Sequence, residues 1–151
     1  MRIVAGCWKG RSLATPKGRD TRPTADRVRE ALFSMLTSHF GTWDDVSVLD
    51  AYAGSGALGL EALSRGARHA IFVEKDPRAL DVVRHNISAL SADESCTVIA
   101  SNVAAAVKRG RISGPVSLLL LDPPYRINKS EVRGLIEALA QGDLLEDAAV
   151  V

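Results

Sequence analysis

The sequence predicts an α/β fold in which a mostly parallel sheet carries helices on both faces. From residue 46 onward, short apolar runs alternate with segments of helical periodicity, and this alternation is typical of parallel strands joined by right-handed crossovers. The run Val116–Leu121 is almost entirely apolar, as expected of a parallel strand buried on both faces. A glycine-rich segment follows the first of these strands, where such sheets bind ligands. A chain of 151 residues fits one domain.

The first 23 residues are predicted to form a separate basic arm. Two extended runs, Arg2–Cys7 and Arg11–Thr15, flank a short segment that ends in Gly10, and this arrangement predicts a β-hairpin. Residues 16–23 contain two prolines and a glycine and are predicted to be irregular. Residues 24–151 then form the main domain.

The main domain is predicted to open with a helix that Thr24 caps. Its apolar face is expected to comprise Val28, Leu32, Met35 and Leu36. The later predicted strands are Val46–Asp50, Ala70–Val73, Cys96–Ala100, Val116–Leu121 and the opening of a fifth, Ala148–Val151. The helices between them are Ala57–Arg65, one that begins at Asp76-Pro77, Val103–Arg109 and Ser130–Ala140. Because the fifth run stops so early, we expect the chain to be a truncated form of a longer protein.

Composition narrows the classes of function. Hydrophobic residues make up 46% and charged residues 25% of the chain, as in ordinary globular domains. No apolar run is long enough to span a membrane, and the first residues do not form a signal peptide, so we expect a cytoplasmic protein without a membrane partner. The two cysteines and three histidines lack ligand spacing, so no metal site is expected.

Charge is unevenly distributed along the chain. Residues 1–29 carry eight basic and two acidic side chains, a net charge of +6, whereas the remainder carries −5. A basic arm on an acidic body is typical of a protein that contacts a polyanion through the arm. A charged surface extension without a partner is the alternative interpretation.

The glycine loop predicts a nucleoside cofactor. Gly54, Gly56 and Gly59 satisfy the GxGxxG pattern, which suits either a nicotinamide cofactor or S-adenosylmethionine. In dinucleotide sites the first glycine follows the strand at once, so that the diphosphate reaches the helix N-terminus. Here Asp50 ends the strand and three residues precede Gly54. A carboxylate suits an ammonium and a sulfonium centre and opposes a diphosphate, so the spacing favours S-adenosylmethionine.

Two further strand ends complete the predicted cofactor site. Glu74 ends the second strand and can accept hydrogen bonds from both ribose hydroxyls. Asn102 and the backbone N–H of Val103 follow the third strand and are expected to contact the adenine edge, although asparagine is also a common helix cap. The predicted cofactor-binding residues are Asp50, Ala53, Gly54, Ser55, Gly56, Glu74, Lys75, Asn102 and Val103.

The segment Asp122-Pro123-Pro124-Tyr125 is the most specific motif in the chain. An exocyclic amine of a base is a poor nucleophile because its lone pair is delocalised into the ring. Asp122 can accept one amine hydrogen, and the carbonyl of Pro123, held by the rigid proline backbone, can accept the other. Tyr125 can stack on a base that has left its helix. We therefore predict that Asp122, Pro123 and Tyr125 are catalytic.

These two loops together resemble those of class I amino-methyltransferases. The arm motifs are similar to those of the bacterial 16S ribosomal RNA guanine-N2 methyltransferases that act on guanine 966 of the small subunit. They are Arg2–Gly6, Trp8–Leu13, Arg22–Thr24 and Arg27–Phe33. The resemblance implies a Rossmann-like methyltransferase fold, S-adenosylmethionine as cofactor, and a monomer that modifies 16S RNA in the assembling 30S subunit. It also implies that RNA is contacted by Lys9, Arg11, Arg22, Thr24, Arg27 and Arg126, although Arg22 and Thr24 could instead shape the wall of the active site. Family members usually continue through the last strands of the sheet.

Four alternatives stay open at this point. A DNA adenine or cytosine methyltransferase would share both loops, but it would normally need a target-recognition domain. A protein glutamine methyltransferase usually has asparagine in place of Asp122. A nicotinamide oxidoreductase would share the glycine pattern but would not explain Asp50 or the proline loop. A non-enzymatic RNA-binding module would leave the segment 122–125 without a role.

Overall fold

A computed structural model describes residues 1–16, 23–123 and 127–150, with the backbone alone for 23–25 and 147–150. Within these residues the strands are β1 (Ser47–Asp50), β2 (His69–Glu74), β3 (Cys96–Ala100), β4 (Val116–Leu120) and β5 (Leu145–Val150). The helices are α1 (Pro23–Phe40), α2 (Ala57–Ser64), α3 (Pro77–Ala89), α4 (Val103–Lys108) and α5 (Lys129–Gln141), with a 3₁₀ turn at Asp93–Ser95. Among the described helices, none has both the length and the apolar character needed to cross a lipid bilayer.

The five strands form one parallel sheet with the order β3-β2-β1-β4-β5. Leu49 of β1 lies beside Ile71 of β2 on one side and beside Leu119 of β4 on the other. Parallel neighbours need crossover connections, and here α2, α3, α4 and α5 supply them. The predicted α/β class, with its parallel sheet and helices on both faces, is confirmed.

The sheet separates two hydrophobic cores because side chains alternate along each strand. Val48, Leu118 and Leu120 point into a core shared with the arm, α1, α2 and α3. Leu49 and Leu119 point into the opposite core, which α4 and α5 cover. All five residues of β4 are buried, as its continuous apolar sequence predicts.

Helix α1 departs from the prediction at its start and on its buried face. It begins at Pro23, so Thr24 lies inside the first turn and does not cap it; proline suits the first helical position because its missing N–H would have no partner there. The predicted apolar face is wrong at Val28 and Met35, which are 63% and 68% exposed. The face that is buried is rotated by about 100°, or one residue, from the predicted face. It contains Phe33, Leu36 and, unexpectedly, Arg29.

The arm folds back on the body as a minimal hairpin. A single antiparallel bridge joins Arg2 to Ser12, and the Ile3 N–H donates to the Arg11 carbonyl at 3.0 Å. The buried side chains of Ile3 and Leu13 belong to the core beneath α1 and α2. The two predicted extended runs therefore pair, but as one bridge instead of two regular strands.

Most of the other predicted boundaries agree with the structure within a residue or two. Strand β3 and the start of α3 at Asp76-Pro77 are as predicted. Strand β5 begins at Leu145, three residues before the predicted opening at Ala148. The sequence does not predict the first half of β5, because the acidic pair Glu146-Asp147 interrupts the apolar run there.

Candidate active site

Four polar residues come together at the carboxyl edge of the parallel sheet. Asp50 ends β1, Glu74 ends β2, Asn102 follows β3 and Asp122 follows β4. Asp122 and Glu74 both raise the pKa of Asp50 by electrostatic repulsion, so the three carboxylates lie close enough to interact. The structure thus brings the polar ends of β1, β2 and β4 to one edge of the sheet, where an open parallel sheet binds its ligands.

Asp50 is the most perturbed acid of this group. It is 1% exposed, and burial raises its pKa to about 7, opposed by the hydrogen bond from Gly59 and assisted by Asp122 and Glu74. Its Oδ2 accepts the Gly59 N–H at 3.1 Å, whereas Oδ1 has no hydrogen-bond partner among the described residues. A buried carboxylate oxygen without a partner is costly, so this atom marks a position at which a cationic ligand group would be stabilised.

The glycine loop turns on two residues in the left-handed conformation. Gly54 has a φ of 56° and Gly56 a φ of 84°, a region that side chains other than glycine rarely adopt. Space is restricted as well, since a Cβ on Gly56 would lie 2.6 Å from Val83 Cγ2. A Cβ on Gly59 would lie 2.4 Å from the ring of Phe72. The loop is therefore held in one shape by its backbone conformation and by close packing.

Glu74 links the end of β2 to this loop. Its Oε1 accepts the Gly54 N–H at 2.9 Å, and its Oε2 accepts the N–H groups of Lys75 and Asp76 at 2.8 and 2.9 Å. Three of the roughly four acceptor sites of the carboxylate are therefore used, and the second lone pair of Oε1 is left for a ribose hydroxyl. The predicted ribose contact of Glu74 and the predicted cofactor contact of Lys75, which is exposed, stay predictions.

Asn102 caps a helix, the role that the sequence analysis gave as the alternative to an adenine contact. Its Oδ1 accepts the Ala105 N–H at 2.8 Å and so caps α4. The backbone N–H of Val103 occupies the first helical position, where helical N–H groups lack an intrahelical acceptor. An adenine contact at this edge stays a prediction, carried by the Val103 N–H and the Asn102 amide group.

The predicted catalytic segment, residues 122–125, starts at the same edge of the sheet, and the structure describes its first two residues. Asp122 is exposed and Pro123 is half-buried. The Ala51 N–H donates to the Leu120 carbonyl at 3.1 Å, which joins the start of the glycine loop to the strand end that leads to Asp122. Tyr125 and Arg126 lie outside the described residues, so the predicted stacking and RNA contact of these two residues stay predictions.

Five of the six predicted RNA-binding residues lie within the first 27 residues of the chain, and the sixth is Arg126. Lys9, Arg11 and Arg27 are exposed, and one guanidinium nitrogen of Arg11 donates to the Ala89 carbonyl at 2.8 Å. Arg22 lies outside the described residues, and for Thr24 only the backbone is described. No metal-binding cluster of three or more acidic, histidine or cysteine side chains occurs in the described part of the chain.

Comparison with known proteins assigns the family. Residues 1–151 match the family model described as "Conserved hypothetical protein 95". The chain belongs to this family. It is 39% identical over 147 residues to "Ribosomal RNA small subunit methyltransferase D" of Escherichia coli K12, covering 97% of this chain and 67% of that protein. A Bacillus subtilis relative named as a candidate rRNA methyltransferase, YlbH, is 38% identical over 97% of this chain and 78% of its own.

Solved structures of the family share the fold. The Escherichia coli protein yhhF, named as a candidate methyltransferase, superposes with a TM-score of 0.82 at 37% identity, over 97% of this chain and 76% of that one. A precorrin-6Y methyltransferase from Geobacter metallireducens, at 18% identity and a TM-score of 0.69, shares the fold alone. The resemblance to small-subunit rRNA methyltransferases and the Rossmann-like methyltransferase fold are therefore both confirmed.

Glu61 is a buried acid for which the sequence patterns did not predict a role. It is fully buried within α2, and its two oxygens accept the Val4 and Ala5 N–H groups at 2.9 and 3.1 Å. Arg65 Nε donates to it at 3.0 Å, and Arg29 Nε lies 3.5 Å from it. The only sequence signal is an acid within the otherwise apolar run of α2, where a lone carboxylate needs partners.

Arg29 and Asn86 were also missed, and both contact the arm. Arg29 donates to the Arg2 carbonyl and to Asp26 Oδ1, the latter at 3.0 Å. Asn86, on α3, bonds the arm at Ala14 and the glycine loop at Ser55. The body therefore binds the arm through buried polar side chains, which hydrophobic periodicity does not detect.

Two cavities lie away from this crevice. One of about 360 Å³ is lined by residues such as Arg68, His69 and Pro115, and one of about 340 Å³ by residues such as Phe40 and Ser117. Both open at the amino edge of the sheet, opposite the four polar strand ends. They have no part in the predicted chemistry.

Proposed function

We propose that the chain transfers a methyl group from S-adenosylmethionine to the exocyclic N2 of a guanine, guanine 966, in 16S ribosomal RNA. The observation that carries this proposal is the position of Asp122 beside Asp50, at the strand ends that lead into the two loops. Family membership supports the acceptor, because the Escherichia coli relative is named for the small-subunit ribosomal RNA. A nicotinamide enzyme would share the glycine loop but would have no use for an amine-activating segment.

The crevice fits S-adenosylmethionine in its charge and in its polar groups. Asp50 Oδ1 is a buried acceptor that lacks a partner among the described residues, and the amino-acid part of the cofactor is cationic. Glu74 and the Val103 N–H offer an acceptor for ribose and a donor for adenine. The glycines at 54 and 56 leave the loop backbone open to close approach. When bound, the cofactor supplies an electrophilic methyl group.

The protein's part in catalysis is to position and activate the amine. Asp122 is exposed at the crevice, so a base that has left its stack can reach it. Its carboxylate accepts one amine hydrogen while the Pro123 carbonyl accepts the other, which favours a pyramidal nitrogen with an available lone pair. Such fixed acceptors require no reorganisation during the reaction, and alignment of the two reactants provides much of the acceleration.

The RNA contact is assigned to residues 1–23, ahead of a catalytic domain over 24–151. Residues 1–29 carry a net charge of +6, and Lys9, Arg11 and Arg27 are exposed. Such a surface binds phosphates without reading sequence. We assign the substrate to 16S RNA within the assembling 30S subunit, and the enzyme to the cytoplasm as a monomer.

Transfer of tritium from labelled S-adenosylmethionine tests this function. The acceptors are small subunits from cells lacking the enzyme, naked 16S RNA, duplex DNA and a glutamine-bearing release factor, and mass spectrometry identifies the product. N2-methylguanine in the subunits or the RNA is the expected result. Label in DNA or in the release factor, or no label in any acceptor from a folded chain that binds the cofactor, would overturn the proposal.

An active-site variant separates catalysis from binding. Asp122→Ala should bind RNA and cofactor normally and fail to methylate, whereas Asp81→Ala, an exposed acid on α3, should methylate like the unaltered chain. Equal activity of the two variants would exclude the role assigned to Asp122. An unaltered chain that binds RNA without methylating would indicate a binding module.

A further inference from the structure

Asn86 connects two segments that belong to different parts of the proposed function. It lies on α3 and is 2% exposed. Its Oδ1 accepts the Ala14 N–H at 2.8 Å, and its Nδ2 donates to the Ala14 carbonyl at 3.0 Å. The same Nδ2 donates to the Ser55 carbonyl at 2.9 Å. One buried amide therefore binds the arm and the glycine loop together.

This arrangement uses three of the four hydrogen bonds that an asparagine amide group can make. An amide offers two N–H donors and a carbonyl acceptor, and here one carbonyl and both donors are engaged. Aspartate has the same shape but, when ionised, cannot donate, so it would place a charge against two carbonyl oxygens. Alanine would leave three backbone groups without their partners. No other side chain of this size satisfies all three contacts.

The Ser55 carbonyl, which Asn86 binds, lies at a critical point of the glycine loop. Ser55 lies between Gly54 and Gly56, the two residues in the left-handed conformation. The loop also rests on α3 at Gly56, where a Cβ would lie 2.6 Å from Val83. Rotation of the Ser55 peptide would change the path of the loop in the cofactor crevice, and the bond from Asn86 opposes that rotation.

The arm is attached to the same helix at a second point. Arg11 donates to the Ala89 carbonyl at the end of α3, and the Met1 sulfur lies 4.0 Å from the Ser55 hydroxyl. Any force that orders the arm against α3 therefore also acts on the surroundings of Ser55. This is the physical contact that coupling between two binding surfaces requires.

We propose that Asn86 is a positioning residue that couples the arm to the glycine loop, so that RNA on the arm and cofactor on the loop strengthen each other's binding. The RNA half of this coupling rests on the proposed function, whereas the link between arm and loop does not. Thermodynamic linkage makes the effect reciprocal: each ligand must improve the affinity of the other by the same factor.

Titration calorimetry with S-adenosylmethionine tests the link in the variant Asn86→Asp. Loss of the bond to Ser55 should weaken cofactor binding by about tenfold. The control is Ile87→Ala, which removes a buried core side chain from the same helix and destabilises the fold, but leaves in place the three hydrogen bonds of Asn86 to the arm and the loop. Its dissociation constant should stay within twofold of the unaltered chain at temperatures where both are folded. A cofactor affinity of Asn86→Asp within twofold of that control would overturn the proposal.

The coupling is measured by repeating the titration with saturating 16S RNA. RNA should tighten cofactor binding in the unaltered chain and in Ile87→Ala, and should have no effect in Asn86→Asp. An equal effect of RNA in all three proteins would overturn the coupling. Two results together would support the link and refute the proposed function: weaker cofactor binding by Asn86→Asp, and no methylation of any RNA by the unaltered chain.

Hydrogen exchange on the unaltered chain keeps the proposal testable if Asn86→Asp does not fold. Saturation with S-adenosylhomocysteine should slow exchange of the Ala14 amide, which is bonded to Asn86. The exposed end of α5, at Gln141, serves as the reference segment. Unchanged exchange at Ala14 would overturn the proposal.

Discussion

Replacing Glu61 by glutamine should separate the arm and α1 from the body. The carboxylate accepts hydrogen bonds from two arm N–H groups and, at 3.0 Å, from Arg65 Nε. It also forms an ion pair with Arg29, whose Nε lies 3.5 Å away. Glutamine keeps the shape but has one acceptor oxygen, and its N–H₂ group faces donors. Its neutral amide also removes the counter-charge of Arg65, which is 11% exposed, and leaves Arg29, which is 5% exposed, paired with Asp26 alone.

The cost follows from removing one partner of a buried ion pair, which is about 3–5 kcal/mol. For a domain of this size each kcal/mol lowers the melting temperature by about 2–4 °C, so the midpoint should fall by roughly 6–20 °C. Calorimetry or circular dichroism measures the midpoint. Glu94→Gln, an exposed acid in the 3₁₀ turn, is the control and should change it by less than 2 °C or so. A loss of less than about 1 kcal/mol for Glu61→Gln would refute the reasoning, because Arg29 and Arg65 would then have other ways to be solvated.

Three further predictions address the crevice and its packing. Because the pKa of Asp50 is about 7 and a cation favours the carboxylate, the cofactor dissociation constant should rise roughly tenfold per pH unit below 7; a flat profile between pH 6 and 8 would contradict this. Gly59→Ala should cost about 1–3 kcal/mol by overpacking against Phe72, whereas Gly134→Ala, with open space on α5, should stabilise by about 0.5–1 kcal/mol; denaturant titration of both decides. Asp122→Ala should lower the methylation rate by roughly 10²–10³-fold with cofactor affinity unchanged, and a rate within tenfold of the unaltered chain would exclude its role.

The raised pKa of Asp50 also sets a direction for stability. Between about pH 4 and 7 the folded chain keeps a proton on this group that the unfolded chain has lost. Folding is therefore favoured by this group at the acidic end, and the contribution is lost as the pH rises through about 7. Bound cofactor should oppose that loss, because it favours the ionised form.

The elements that the sequence predicts correctly are those whose pattern of apolar and capping residues agrees with their burial in the fold. Strand β4 is apolar throughout and buried throughout, and α3 combines a capping aspartate, a proline in the first turn and regular apolar spacing. The polar strand ends Asp50 and Glu74 could be placed at one edge because parallel strands end together. These features depend on residues that are neighbours in sequence.

The polar residues that the sequence did not reveal, Arg29, Glu61 and Asn86, share one physical feature: each is a buried polar group with a distant backbone partner. Arg29 occupies a core-facing position of α1 because Glu61 neutralises it, and periodicity therefore placed the apolar face toward Val28 and Met35 instead. Glu61 contacts Ala5 across 56 positions, and Asn86 contacts Ala14 across 72. A main-chain partner leaves no residue type in the sequence to be recognised, so these contacts required the three-dimensional structure.

The arm is fastened to the body mainly through its main chain. Glu61 and Asn86 bind its peptide groups, and the Ser64 hydroxyl and carbonyl receive the N–H groups of Trp8 and Cys7. Docking of this kind does not depend on which exposed side chains the arm carries. Gly6, where a Cβ would lie 1.9 Å from the Ser64 carbonyl oxygen, Gly10 with its φ of 84°, and the apolar anchors Ile3, Leu13 and Trp8 are constrained, whereas exposed positions such as Lys9 and Ser12 are open to exchange. Under the proposed function, the exposed charges of the arm could therefore be exchanged to suit another RNA without redesign of the domain that holds the arm.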